Sequence, residues 1–206
     1  MFFLPKFLIL LYLHMDNTIK KLAIFASGKG TNAQNFISFF SKNRYGKVSI
    51  ILTDRKDAPV IERCVKLGVK VVVFSTEELN NGIVLEILER EKIDFIVLAG
   101  FLKMIPLDIL ERYHNHIVNI HPSLLPRYGG RGMYGMNVHR AVIENQEKES
   151  GITIHRVSEI CDDGAIIFQA TVRIDSTDTP ESLASKISQL EMEHYPRVVE
   201  SLLKKM

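Results

Sequence analysis

Apolar positions fall in short, nearly unbroken runs. "KLAIFAS" (21–27), "KVSIILT" (47–53), "VKVVVF" (69–74), "DFIVLAG" (94–100) and "HIVNI" (116–120) each read as a strand. A strand that is apolar at almost every position is buried on both faces. Between the runs the pattern turns helical. "TNAQNFISFFSK" (31–42) sets Phe36, Phe39 and Phe40 on one side, and "VIERCVKLG" (60–68) stops at Gly68. "EELNNGIVLEILEREK" (77–92) is amphipathic, with Asn80-Asn81-Gly82 weakening its start. Strands alternating with helices imply parallel βαβ units with right-handed crossovers. After residue 150 the pattern changes: "GITIHRV" (151–157) and "GAIIFQATVRI" (164–174) are joined by a turn-rich "SEICDDG" and read as an antiparallel addition. Residues 180–205 form a long closing helix, with a bend expected at Pro196. No linker divides the chain. The expected fold is a single α/β domain: an open, mostly parallel, Rossmann-like twisted sheet with helices on both faces and an antiparallel C-terminal edge.

Composition changes this picture little. The 206 residues are 46% hydrophobic and 24% charged, which suits one domain with a sizeable core. A net charge of +2 gives no electrostatic case for nucleic acid or an anionic membrane. Cys64 and Cys161 lie far apart and form no CxxC, so a reduced, cytoplasmic protein without structural zinc is expected. One segment stands out: "MFFLPKFLILLYLHM" is apolar over most of residues 1 to 13. It is shorter than the about 20 residues a membrane-spanning helix takes. It also lacks the charged start and cleavage site of a signal peptide. Met15 offers an alternative start to Met1, so residues 1–17 read as an extension and 18–206 as the domain.

Ligands of open parallel sheets sit beyond the carboxyl ends of the strands. Three such ends carry unusual residues: 27–32, 99–105 and 119–123. "SGKGTNA" (27–33) joins the first strand to the first helix. Glycines there allow a tight turn and close approach to the amides, and the helix start favours an anion. Gly28-x-Gly30-x-x-Ala33 also meets a relaxed dinucleotide fingerprint, with Asp54 where a ribose-binding acid would lie. That leaves two alternatives open, a nicotinamide-dependent oxidoreductase and a non-catalytic nucleotide-binding module. The extra donors Ser27, Lys29, Thr31 and Asn32 favour a terminal phosphomonoester instead. The expected phosphate contacts are Gly28, Lys29, Gly30, Thr31 and Asn32. The Walker spacing is not met.

Asn119 and His121 share one side of their strand, as i and i+2 do. An amide donor and an imidazole converging at a strand end suit a reaction in which a carbonyl oxygen gains negative charge. A carboxylate beside the histidine would favour its protonated form at neutral pH, and "CDDG" (161–164) offers Asp162 and Asp163 on a turn. His139 and His155 are weaker candidates for the same cleft, and core or surface roles fit them as well.

"ASGKGTNAQNF", "VLAGFLKMI", "VNIHPSLLP" and "DDGAIIFQATV", in this order and spacing, resemble the phosphoribosylglycinamide formyltransferase family. The likeness runs from about Lys20 to Lys204, and N-I-H-P-S-L-L-P is specific for the wider folate formyltransferase superfamily. The resemblance implies the formyltransferase fold and transfer of a formyl group from 10-formyltetrahydrofolate to the amine of glycinamide ribonucleotide, in purine biosynthesis. It implies no metal, nucleic acid or membrane partner, and a monomer or homodimer. It further implies that Asn119 binds the formyl oxygen, His121 donates a proton and Asp162 supports the charged imidazole. Leu102, Lys103, Met104 and Ile105 would line the folate pocket with Asn119, and Glu191 would contact the ribose.

The chain departs from that family in places. "RYGGRGMYGMNVH", after Pro126, is longer than the common version and is expected to cover the folate mouth differently. "STEELNNG" lacks the arginine often found near the third helix start, and Lys103 stands where an arginine is frequent. Methionyl-tRNA formyltransferases normally add a C-terminal barrel, and formyltetrahydrofolate hydrolases an N-terminal regulatory domain, and neither pattern matches this chain.

Overall fold

The computed structural model describes residues 19–206. The expected extension over 1–17, with both candidate starts, lies outside the described residues. Seven strands form one sheet in the order β3-β2-β1-β4-β5-β6-β7. They are β1 (Lys20–Phe25), β2 (Gly46–Thr53), β3 (Lys70–Val73), β4 (Phe95–Leu98), β5 (Ile117–His121), β6 (Glu149–Arg156) and β7 (Ile166–Arg173). The first five strands pair in parallel, and β6 and β7 add antiparallel at the far edge, as expected.

Strand alternation sorts the apolar side chains into two layers. In β1, Leu22 and Ile24 join one core cluster while Ala23 and Phe25 join the other. The first cluster is closed by α1 (Thr31–Phe40), α2 (Val60–Val65), α6 (Met136–Glu144) and α7 (Pro180–Leu203). The second is closed by α3 (Thr76–Asn80), α4 (Ile83–Arg90) and α5 (Leu107–Arg112). The inner strands β1, β2, β4 and β5 are therefore covered on both faces, which is why they read as apolar runs, whereas the edge strand β3 is only partly covered.

The helices differ from expectation in two ways. The single helix expected over 77–92 is two. Ser75 caps α3 through a reciprocal pair: the Glu78 N–H donates to Ser75 Oγ at 3.1 Å and the Ser75 N–H donates to Glu78 Oε2 at 2.7 Å. Gly82 then turns left-handed, with φ +89°, and redirects the chain into α4. Helices α5 and α6 were not foreseen; each is short and buries only a narrow stripe, Ile109 in α5 and Val138, His139 and Val142 in α6. The closing helix α7 is present and runs continuously through Pro196.

Helix α7 fixes the geometry of the sheet's carboxyl edge. Tyr195 is fully buried, and its hydroxyl donates between the carbonyls of Leu98 (2.9 Å) and Val118 (3.1 Å). That ties the last helix to the carboxyl end of β4 and to the first half of β5. The strand order reverses direction between β1 and β4, so a crevice opens there, the usual place for a ligand in such sheets.

Candidate active site

The loop after β1 is held from below. The Ser27 N–H donates to the Gly100 carbonyl at 3.1 Å, and Ser27 Oγ donates to Asp54 Oδ1 at 2.6 Å while accepting from the Leu102 N–H at 3.2 Å. This corrects the dinucleotide expectation: the Asp54 carboxylate is engaged by Ser27 and does not line the cleft. Gly30 is required by geometry. Its φ is +73°, and a Cβ there would lie 2.4 Å from Val60 Cγ2. Helix α1 starts at that glycine with no side-chain cap and no acidic residue in its first turn, so its first amide donors and its dipole stay available for an anion.

Asn32 links this loop to α7. Its Nδ2 donates to Glu191 Oε2 at 2.8 Å, and its Oδ1 is buried without a partner. Burial pushes the Glu191 carboxyl above its usual range, and the Asn32 bond works against that.

The end of β5 carries the second group. Asn119 pairs in register with His155 on β6, and their side chains meet, Asn119 Nδ2 to His155 Nε2, at 3.1 Å. His155 Nδ1 lies 2.8 Å from the Arg156 carbonyl, which can only accept. The ring proton is therefore on Nδ1, and Nε2 must be the acceptor for the Asn119 amide. Burial holds the His155 ring below the usual histidine range, which keeps that acceptor free. The same logic applies to His121. Its Nε2 donates to the Tyr128 carbonyl at 2.7 Å, leaving Nδ1 facing Asp162 Oδ2 at 3.4 Å. His121 and Asp162 are nearly buried, at 4% and 9% side-chain exposure. Asp162 sits at φ +57° and also accepts the Gly130 N–H at 2.9 Å; its other oxygen lies 3.7 Å from His155 Nε2.

One cleft of about 590 Å³ collects these groups. Gly28, Lys29, Gly30, Thr31, Asn32, Leu102, Lys103, Met104, Ile105, Asn119, His121, Asp162 and Glu191 all line it. Of the four residues expected in the folate pocket, Leu102 and Met104 are half exposed, whereas Ile105 is largely committed to the second core cluster. Sequence reasoning undervalued three contributors. His155 anchors Asn119. His139 on α6 lines the same cleft, buried, with Nδ1 unpartnered and its ring held neutral by burial and by His121. The segment 130–135, flagged only for its length, forms a wall of the cleft. Among the described residues no three His, Cys, Asp or Glu side chains form a metal-holding group, and no helix is long and apolar enough to cross a membrane.

Known proteins resemble this chain in sequence and in fold. The family model described as formyl transferase matches residues 20–199. The chloroplastic phosphoribosylglycinamide formyltransferase of Arabidopsis thaliana is 39% identical over 187 residues, covering 87% of this chain and 64% of the relative. The chain likewise spans 61% of the length of the Vigna unguiculata relative. The Bacillus subtilis phosphoribosylglycinamide formyltransferase is 33% identical over 90% of this chain and 95% of its own length. Among solved structures, the glycinamide ribonucleotide transformylase 1 of Geobacillus kaustophilus aligns with TM-score 0.82 at 36% identity, covering 90% of this chain and 99% of that one. The Bacillus halodurans phosphoribosylglycinamide formyltransferase aligns with TM-score 0.81 at 37% identity, over 90% and 96% of the two chains.

Proposed function

The chain belongs to the formyl transferase family, and from that premise we propose that it moves a formyl group from 10-formyltetrahydrofolate to the amine of 5-phosphoribosylglycinamide. The products are the formylglycinamide ribonucleotide and tetrahydrofolate, a step of purine biosynthesis. One observation carries the reading: Asn119, His121 and Asp162 converge at one strand end, in the same cleft onto which the start of α1 opens.

The cleft has matching ends. At one, the α1 amides, Lys29, Thr31 and Asn32 supply donors for a phosphate. Glu191 spends one oxygen on Asn32 and keeps the other for a sugar hydroxyl, and the orphaned Asn32 Oδ1 gains a partner from a polar ligand there. At the other, Leu102, Met104 and Ile105 give an apolar wall for a flat ring system, with Lys103 beside them.

When bound, 10-formyltetrahydrofolate supplies the formyl carbon. Asn119 offers its second Nδ2 hydrogen to the formyl oxygen as negative charge builds there. His121 has committed Nε2 to Tyr128, so Nδ1 handles the proton, and Asp162 gives the resulting imidazolium its counter-charge. His121, directly or through water, delivers a proton to the departing folate nitrogen, matching the one lost by the attacking amine. The cleft also holds two large substrates in register, a separate source of acceleration. On this reading the protein works on small molecules in the cytoplasm, without nucleic acid or membrane, as a monomer or homodimer.

The test is folate absorbance with purified protein, 10-formyltetrahydrofolate and glycinamide ribonucleotide. His121→Ala and Asp162→Asn are expected to lower kcat about 10²–10⁴-fold, with little change in the ribonucleotide KM. Lys29→Ala and Thr31→Ala should chiefly raise that KM. Full activity in the first pair removes the catalytic assignment; an unaltered KM in the second pair removes the phosphate site.

A further inference from the structure

The segment that leaves β5 turns back onto the sheet before it reaches the cleft wall. In β6 and β7 the side chains of Ile152, Ile154, Phe168 and Ala170 pack into the first core cluster. Their neighbours Gly151, Thr153 and Gln169 therefore point to the opposite face. That face meets residues 122–128, which run from His121 to the carbonyl that His121 bonds. Gly151 makes room for them: a Cβ there would lie 2.7 Å from Leu124 Cδ2. His121 pairs in register with Thr153, and Thr153 with Gln169, so the three side chains form one row across β5, β6 and β7.

That row holds the segment by its backbone. Thr153 is fully buried, and its hydroxyl uses its whole bonding capacity. Oγ1 donates to the Ser123 carbonyl at 2.7 Å and accepts from the Leu125 N–H at 2.9 Å and from Gln169 Nε2 at 2.9 Å. Gln169 Nε2 spends its other hydrogen on the Leu125 carbonyl at 3.0 Å. Ser123 Oγ in turn donates to the Arg127 carbonyl at 2.8 Å, one residue before the carbonyl that accepts from His121 Nε2 at 2.7 Å. The far end has a separate tether, the Tyr128 hydroxyl donating to Glu147 Oε1 at 2.6 Å.

We infer that Gln169 is a positioning residue: from the edge strand it pins the 122–128 segment, and so keeps the Tyr128 carbonyl on His121 Nε2. The catalytic part of this inference rests on the functional reading above. The carbonyl decides where the imidazole proton sits, because a carbonyl can only accept and so keeps Nε2 protonated. Nδ1 is thereby left for Asp162 and the reaction. A drift of about 1 Å takes the Tyr128 contact beyond hydrogen-bond range and frees the ring to adopt the other tautomer. Gln169 is the one member of the row with an exposed side, on the last strand of the sheet. Its amide can therefore be removed without opening the core, and the Glu147 tether keeps the loss graded.

The experiment compares the wild-type chain with Gln169→Leu, which keeps the length and loses the donor, and Gln169→Glu, which sets an acceptor against the Leu125 carbonyl. Thr171→Ala, on the same face of β7, controls for the strand edge and should leave kcat unchanged. Gln169→Leu should lower kcat for formyl transfer about three- to tenfold, the size of one lost neutral hydrogen bond. Gln169→Glu should lower it at least as far, and KM for both substrates should hold. The second readout is the 15N spectrum of labelled histidine at alkaline pH, with His121 assigned by the signal lost in His121→Ala. The wild type should show the Nε2–H form, and Gln169→Leu a mixture of the two tautomers. Wild-type kcat in Gln169→Leu, or a slower variant whose His121 signal is unmoved, overturns the assignment. If the wild type transfers no formyl group, the functional reading falls, while a tautomer change in Gln169→Leu still supports the hold on the imidazole.

Discussion

His155 decides which way Asn119 faces. An amide can present either oxygen or hydrogen to a ligand, and only the hydrogen stabilises a forming oxyanion. The Arg156 carbonyl takes the Nδ1 proton of His155, so Nε2 accepts from Asn119 and the amide is locked hydrogen-outward. The arrangement depends on a neutral ring, which burial secures by lowering the His155 pKa. The sign of the pH effect follows. The unfolded histidine takes a proton near its ordinary value of about 6.5, the folded one only at lower pH, so stability falls as pH drops through that window. His116 and His139 are lowered for the same main reason, burial, and act in the same direction. His155→Gln keeps an acceptor and loses the titration. Its melting temperature should decline less than wild type between pH 7.5 and 5.5 in circular-dichroism melts, and parallel declines would contradict this. Asn119 and His121 were legible because strand alternation alone puts them on one side. His155 was not, because its partner is set by the register between β5 and β6, which no local pattern encodes. Choosing Asp162 over Asp163 likewise depended on resemblance until the turn placed Oδ2 3.4 Å from His121.

Helix α7 carries Glu191 and Tyr195 four residues apart, hence on one face. The Tyr195 hydroxyl therefore sets the height of Glu191 over the start of α1. Tyr195→Phe leaves two buried carbonyls without that donor and should cost about 1–3 kcal/mol. For a chain this long that is a fall in melting temperature of about 2–12 °C. An unchanged melting temperature would mean that the hydroxyl does not anchor the helix. The strands were the most legible elements, since burial on both faces writes them as apolar runs. Short helices were the least. Six residues in α5 and nine in α6 give too few turns for a period to emerge, and α6 follows a glycine-rich stretch that reads as loop. The break between α3 and α4 was visible as Asn80-Asn81-Gly82, but only the Ser75 cap and the positive φ of Gly82 show two separate helices.

At the scale of the whole molecule, the sheet order places the ends of β1, β4 and β5 around one crevice, with α7 closing it. Class and handedness follow from alternating strands and helices; strand order does not, since it is fixed by which apolar faces meet in three dimensions. The inserted segment closes the crevice and supplies two of its working contacts, the Tyr128 carbonyl to His121 and the Gly130 amide to Asp162. Residues from the loop after β1, from β5, from the 158–164 turn and from α7 thus meet in one cleft because the fold brings them together, and the proposed function has them act as one unit. A double-mutant cycle on His121→Ala and Asp162→Asn, read as kcat for formyl transfer, tests that unity most directly. If Asp162 works through the imidazole, Asp162→Asn should cost little more once His121 is gone, and the double variant should be about as slow as His121→Ala alone. If the two losses instead multiply in full, the carboxylate and the imidazole act independently, and the account of this site is wrong.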